Sequence, residues 1–483
     1  MLSDEQKAVV EAPLRGVTMV HACAGAGKTT SLAAKAERHA ALDGMRGLYV
    51  AFAKPAQLDA AQRFGRSALC KTGHALAFPR FGQKYAHKLR SMKPLEVIRQ
   101  SGLVDDYGEA RILIDAVNDW CISDAMKFPE RIRLGAMGGR ISPMRAGQLA
   151  KLAEQLWEDM CDPDSPTPMP HDGYLKLYQL TQPRLPGDYL MVDEFQDTNP
   201  VLLDIIRRQR QPIIAVGDPH QSIFAFRGAV NAMDELKSDR LLHINQSFRF
   251  GPKVANVANA LLGGLKNEKN KVIGAGHDTE LRWDARVPTD LPSLTIISRT
   301  NGGLFEHAVT ALRQGKSLAF VGGVLSYGFS KLCDVRLIAN GRREEVKDSF
   351  LRSFTSLWQL QDYAEQAEDL ELLRLLRVTE DHGDAIFELV EQIHARARAD
   401  LDAQVVLTTA HKSKGLTRDH VHLADDFPDL IEDGDLVEDL DHQEVNLAYV
   451  AVTRAVRTLS LNTQIIEYLR WRREQARPAS RVI

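Results

Sequence analysis

The sequence predicts an α/β protein built on parallel sheets, and three observations carry that prediction. Residues 20–32 (VHACAGAGKTTSL) run from an apolar strand through a glycine-rich turn into a helix. Residues 189–192 form a second apolar strand with Asp193 and Glu194 at its carboxyl end, where ligands gather in parallel α/β sheets. Between the strands lie long segments whose apolar residues recur at helical spacing, as Leu113, Ala116, Val117 and Trp120 do, and then Leu149, Leu152, Ala153 and Leu156. A mostly helical insertion between these two strands accounts for this order.

Composition sets the frame. A chain of 483 residues suggests about three folding units at ~150 residues each. With 44% hydrophobic and 26% charged residues it has enough apolar content for a real core. The net charge of −3 announces no polyanion partner, so local clusters must carry any such case. Cys23, Cys70, Cys121, Cys161 and Cys333 are scattered without ligand spacing, which reads as reduced thiols with no zinc site and no disulfide framework. Residues 3–7 are polar and charged where a signal peptide needs an apolar run. No apolar run approaches the ~20 residues that span a bilayer. The expectation is a cytoplasmic protein with no membrane partner.

In chain order, residues 2–12 read as a helix capped by Ser3 or Asp4, with Ala8, Val9 and Ala12 facing inward. Gln6 lies one short helix ahead of the glycine-rich turn, and its amide matches the donor and acceptor of an adenine edge. In the turn, Gly25 and Gly27 let the backbone approach a phosphate closely. Lys28 supplies a point charge for the β- and γ-phosphates, Thr29 supplies a hydroxyl to Mg²⁺, and the helix start adds its own positive end. The usual pattern opens with Gly, and Ala22 stands there instead.

Residues 47–53 form another buried strand. From 60 to 95 there is no acid, against eight Lys or Arg with Phe64, Phe78, Phe81 and Tyr85 interleaved. That pattern suits a single-stranded nucleic acid, whose backbone tracks basic residues and whose bases stack on aromatics. It equally suits a basic surface over an aromatic core. At the acidic pair, Asp193 is placed to hold Mg²⁺ and Glu194 to polarise the attacking water, with Gln196 and Asp197 coupling this loop to the next. A strand at 212–216 leads into GDPHQSIFAFRGA, where Gln221 is placed to sense a γ-phosphate. Another strand at 241–244 precedes QSFRF, in which Phe248 can stack on adenine and Arg249 reach the terminal phosphate.

Together these segments resemble the superfamily 1 helicases of the UvrD/Rep/PcrA type. ACAGAGKTT resembles motif I, VDEFQD motif II, VGDPHQSIFAFRGA motif III and QSFRF motif IV; ISRTN resembles the arginine-bearing strand that follows, TTAHKSKGL motif V and NLAYVAVTRA motif VI. KTGHALAF, FVGGVLSYGFSKLCD and HLADDF are similar to the F-box DNA helicase branch, with the expectation that no F-box precedes the helicase. The resemblance implies two RecA-like α/β domains with parallel sheets, each interrupted by a mostly helical insertion. The expected division is 1–75 and 186–240 for domain 1A, with insertion 1B at 76–185. Domain 2A takes 241–323 and 405–483, the latter ending in a basic tail, with a reduced insertion 2B at 324–404.

The resemblance also implies roles. ATP with Mg²⁺ is the cofactor, held by Gln6, Ala24, Gly25, Ala26, Gly27, Lys28, Thr29, Thr30, Phe248, Arg249, Gly415 and Arg454. Lys28, Asp193, Glu194, Gln221, Arg249 and Arg454 are catalytic, the two arginines as fingers, and Thr29 and Asp193 hold the metal. Phe52, His74, Phe224, Phe226, Arg227, Thr409 and His411 line a nucleic-acid channel. The implied activity is 3′-to-5′ helicase or translocase work on single-stranded and tailed duplex DNA, in repair or recombination, beside a nuclease or recombination partner. An RNA helicase and a nucleotide-gated single-strand clamp stay open as alternatives. One departure bears on this: motif V continues Thr417–Arg418 where the family has Glu–Phe. Three charged stretches carry weaker expectations. Residues 362–377 read as one charged, solvated helix. Residues 425–444 hold ten acids and no Lys or Arg, a solvated loop or a repelling one. The tail carries Arg470, Arg472, Arg473, Arg477 and Arg481.

Overall fold

In the computed structural model, residues 2–134, 141–224, 231–366, 369–399 and 402–476 are described. The chain divides into two units, Met1–Ala22 with Gly27–Ile244, and Cys23–Ala26 with Asn245–Ile483. The first unit reaches four residues past the expected division at 240.

The first unit is built on six parallel strands: β1 (Val17–Ala22), β2 (Gly47–Ala51), β3 (Ala68–Thr72), β4 (Tyr189–Val192), β5 (Ile213–Gly217) and β6 (Arg240–Ile244). Their order is β3-β2-β4-β5-β1-β6. β2, β4 and β5 are buried at every position, as a parallel sheet covered on both faces requires. The register sets Val50 beside Val192 and Val20 beside Val216. The glycine-rich turn, Asp193–Glu194 and Asp218 therefore all follow the same edge of the sheet. The strand read at 241–244 pairs with β1, Ala22 opposite Ile244, so it belongs to this sheet and not to the second domain.

The insertion between β3 and β4 is helical, with long helices Tyr107–Ile122 and Pro143–Cys161 and a shorter His171–Leu180. The predicted stripe residues Leu113, Ala116, Val117, Trp120, Leu149, Ala153 and Leu156 are buried, and Leu152 is half-buried against them. Their core is continuous with Leu48, Val50, Leu190 and Val192 of the sheet, so insertion and sheet share one apolar interior.

The second unit opens on a short parallel pair, β7 (Gln246–Ser247) with β8 (Ile273–Gly274). Its main sheet comprises β9 (Glu280–Arg282), β10 (Leu294–Ser298), β11 (Leu318–Phe320), β12 (Ala397–Arg398), β13 (Val405–Thr409), β14 (Arg418–Leu423) and, after a hairpin of β15 (Ile431–Glu432) and β16 (Asp435–Leu436), β17 (Ala455–Ser460). The order is β12-β11-β13-β10-β14-β17-β9, parallel throughout. Two such sheets with helical insertions make the α/β, RecA-like fold class that the sequence implies.

The charged run at 362–377 is two helices, Leu357–Gln366 and Leu370–His382. Asp369 starts the second by accepting from Leu372 N at 3.0 Å, and Leu372, Leu375 and Val378 bury one face. The acidic stretch is only partly solvated. Asp426 accepts from Arg299 N and Thr300 N at 2.8 Å each, Asp425 from Thr463 N at 2.6 Å, and Glu444 takes the Arg299 guanidinium at 2.7 Å. Arg477 and Arg481 lie outside the described residues. No helix among the described residues is long and apolar enough to cross a membrane.

Candidate nucleotide and nucleic-acid site

Gly27 begins the helix Lys28–Asp43 with φ 74°, and Gly25 has φ 76°, a left-handed conformation that suits glycine. Lys28 Nζ lies 3.2 Å from Glu194 Oε1. Burial pulls the Lys28 ammonium down, but Glu194, Asp193 and Asp218 outweigh it and hold the group above its ordinary value. Glu194 sits at φ 49°, uncommon for a residue with a Cβ, and Gln196 Nε2 donates to its Oε2 at 2.6 Å.

Asp193 is held on both oxygens. Its Oδ1 accepts from Glu194 N at 2.9 Å; its Oδ2 accepts from Thr29 Oγ1 at 3.0 Å and from the Tyr49 hydroxyl at 2.6 Å. Burial and then the Glu194 charge raise its carboxyl, while Lys28 and Tyr49 oppose them without cancelling the shift. A carboxylate beside a threonine hydroxyl is a hard-oxygen set of the kind Mg²⁺ takes, so these residues fit the implied metal. A polar chain continues outward: Asp218 N donates to Gln196 Oε1 at 3.1 Å, and Gln221 Nε2 donates to Asp218 Oδ2 at 2.6 Å.

Ser3 caps the helix Asp4–Glu11 in a reciprocal box, Gln6 N to Ser3 Oγ at 3.2 Å and Ser3 N to Gln6 Oε1 at 3.0 Å. Val9 and Ala12 are buried as expected, whereas Ala8 is exposed and Gln6 takes the inward place. The reason is the cap, which turns the Gln6 amide in toward the glycine-rich turn; a Cβ on Gly27 would meet Gln6 Nε2 at 2.6 Å. Lys35, buried in the helix Lys28–Asp43, donates to the carbonyls of Val9 (3.1 Å), Val10 (3.3 Å) and Ala12, fixing the end of the Gln6 helix. Burial brings its ammonium down to about 8. Thr30 is exposed at the start of the same helix.

Of the predicted nucleic-acid contacts in this unit, Phe52 is half exposed and its ring stacks on Phe224 at 6.0 Å and 8°. His74 follows β3 and pairs with Asp172 at 3.0 Å. Phe52, Gly73, His74, Asp197 and Asn199 line one cavity of about 70 Å³ beside Asp193. Phe226 and Arg227 lie outside the described residues.

In the second unit, Ala24 N donates to the Tyr449 hydroxyl at 3.2 Å and Phe248 N to Gly25 O at 3.0 Å. A Cβ on Gly25 would meet Arg249 Cβ and Ser247 Oγ at 2.7 Å, a second reason for glycine there. Ala26 is buried and Phe248 is exposed. Arg249 Nη1 donates to Thr453 O at 3.0 Å, while buried Arg454 donates through Nε to Val450 O at 2.8 Å and through Nη2 to Thr453 Oγ1 at 3.0 Å. Thr453 thus brings the two predicted arginines together. Arg454 Nη1 also reaches Leu416 O at 3.3 Å, next to Gly415 (φ 81°) and exposed Thr417. Thr409 precedes the short helix Ala410–Ser413 that carries His411.

Sequence reasoning missed Tyr49, Lys35, Tyr449 and Thr453. The available signal for Tyr49 was one phenol inside the aliphatic strand GLYVA. Lys35 is a lone cation on the inner face of a helix.

Comparison with known proteins matches residues 180–239 to the UvrD/REP helicase N-terminal domain and residues 318–464 to the UvrD-like helicase C-terminal domain. F-box DNA helicase 1 of Gallus gallus is 31% identical over 97% of this chain and 49% of its own length. F-box DNA helicase protein 1 of Schizosaccharomyces pombe is 29% identical over 96% of this chain and 58% of its own. The chain therefore spans about half the length of these relatives. A solved structure titled "The structure of PRRSV helicase" covers 95% of this chain and 54% of its own at a TM-score of 0.34 and 11% identity, too distant to bear on the assignment. The chain thus carries, in order, both the N-terminal and the C-terminal domain of the UvrD-like helicases.

Proposed function

We propose that the chain is an ATP-dependent DNA helicase or translocase that moves 3′-to-5′ on single-stranded DNA. The observation that carries this reading is the convergence of Lys28, Thr29, Asp193 and Glu194 at one sheet edge, Lys28 within 3.2 Å of Glu194 and Thr29 within 3.0 Å of Asp193. Bound Mg-ATP supplies a phosphoanhydride bond whose hydrolysis is the energy source. Lys28 balances phosphate charge, Asp193 and Thr29 hold the metal, and Glu194 accepts a proton from water. Gln221 reports on the phosphate to Glu194 through Asp218 and Gln196. Arg249 and Arg454 act as arginine fingers, groups worth ~10³–10⁵ in rate in related phosphoryl-transfer sites. Phe52, His74 and Phe224, with Thr409 and His411, contact the strand. The F-box DNA helicase relatives favour DNA as the track.

The test is steady-state ATP hydrolysis without polymer, with single-stranded DNA and with single-stranded RNA, beside Glu194→Gln. The expected result is strong stimulation by DNA alone and a loss of about 10²–10⁴ in the variant, followed by unwinding of 3′-tailed but not 5′-tailed duplexes. Stimulation by RNA would move the substrate. Binding without turnover would make the protein a clamp.

A further inference from the structure

We propose that Tyr49 is a positioning residue for the metal-binding aspartate, fixing the Asp193 carboxylate in its working orientation before any cation arrives; this rests on the nucleotide-site reading above. Tyr49 lies in β2, flanked by β3 and β4, and is 1% exposed. Its ring packs on Phe64 at 4.7 Å, a role that Phe fills equally well. What Phe lacks is the hydroxyl, and a buried hydroxyl needs a partner. The partner here is Asp193 Oδ2 at 2.6 Å.

Three donors approach Asp193 from three parts of the chain. The Glu194 amide fixes Oδ1 from the loop itself, Thr29 reaches Oδ2 from the helix of the glycine-rich turn, and Tyr49 reaches Oδ2 from the neighbouring strand. The same threonine is the other implied metal ligand, so its hydroxyl reorganises when a cation binds. The Tyr49 bond does not depend on that change. β2 and β4 set it through their register, Tyr49 beside Met191 and Val50 beside Val192, with Asp193 N donating to Val50 O at 3.1 Å. Tyr49 is therefore the anchor that persists across the cycle. Partners one shell out from a metal ligand typically change metal affinity by ~10–100-fold when removed.

The experiment compares wild type with Tyr49→Phe, which keeps the ring. Mn²⁺ is the probe, its free signal followed by electron paramagnetic resonance in the presence of ADP; Mg²⁺ dependence of ATP hydrolysis and metal-free ATP binding in EDTA are measured alongside. The expected result is a rise of about tenfold in the Mn²⁺ dissociation constant and in half-saturating Mg²⁺. The turnover number at saturating Mg²⁺ and the EDTA binding stay near wild type. Superposable Mn²⁺ titrations would overturn the assignment. So would an equal loss of metal-free ATP binding, which would make Tyr49 a packing residue only. A wild type that takes up no Mn²⁺ with ADP would refute the nucleotide-site reading itself, and this inference with it.

Discussion

Acidification should weaken the second unit through His422, and the size of the effect follows from the structure. His422 lies in β14, 1% exposed, with Nδ1 3.0 Å from Ser460 Oγ on β17. The His307 ring stands edge-on at 6.2 Å, and Asp425 and Asp284 are the nearby acids. Burial, with His307 adding to it, brings the His422 imidazole down to about 4. An unfolded histidine titrates near ~6.5. Between these values the unfolded chain binds the proton and the folded chain does not, so stability falls as pH drops. The contribution is fully present above ~6.5 and lost as pH passes down through the folded value. Over that interval it amounts to about 3 kcal/mol, of which about 2 kcal/mol is gone by pH 5. His307, also lowered by burial, acts in the same direction. Because a two-unit chain need not unfold in one step, the assay is amide exchange read on peptides covering β14 and β17 at pH 7.5 and 5. His422→Gln keeps a neutral hydrogen-bonding side chain, so it should lose about 2 kcal/mol less local stability over that pH range than wild type. Equal losses in the two proteins would refute the assignment.

Two further outcomes are expected. Lys35→Met leaves three carbonyls at the end of the Gln6 helix without their donor, at about 1–3 kcal/mol; amide exchange over residues 4–12 should quicken, and preference for ATP over GTP should narrow. Gln196→Ala removes the link between Glu194 Oε2 and Asp218 N, so turnover should fall about tenfold while the KM for ATP holds. A matched rise in KM would mean that Gln196 serves binding.

Features that depend on neighbours along the chain are readable before any fold is known. The strand–turn–helix around Lys28 is legible because two glycines in left-handed backbone and a following helix are local requirements. Asp193–Glu194 is legible because the pair ends an apolar strand downstream of the glycine-rich turn, where ligands gather in parallel α/β sheets. The stripes at 113–120 and 149–156 are legible because helical period alone picks out their buried face. The Ser3 cap was legible as well, but not its consequence, since only the structure shows the amide of Gln6 displacing Ala8 from the interior.

Pairings between distant segments exist only in the folded chain. Which strand lies beside β2 fixes whether Tyr49 meets Asp193, 144 positions away, and no periodicity encodes that register. β6 joined the first sheet through its pairing with β1, although its sequence reads as a strand in either unit. Arg299 and Glu444, 145 positions apart, took up each other's charge, tying part of an acidic run into half-buried structure. His422 reads as an ordinary histidine until Ser460 and His307 close around it. Local stereochemistry selects the elements, whereas the burial and charge that give a side chain its chemistry arise only when remote segments exclude water together.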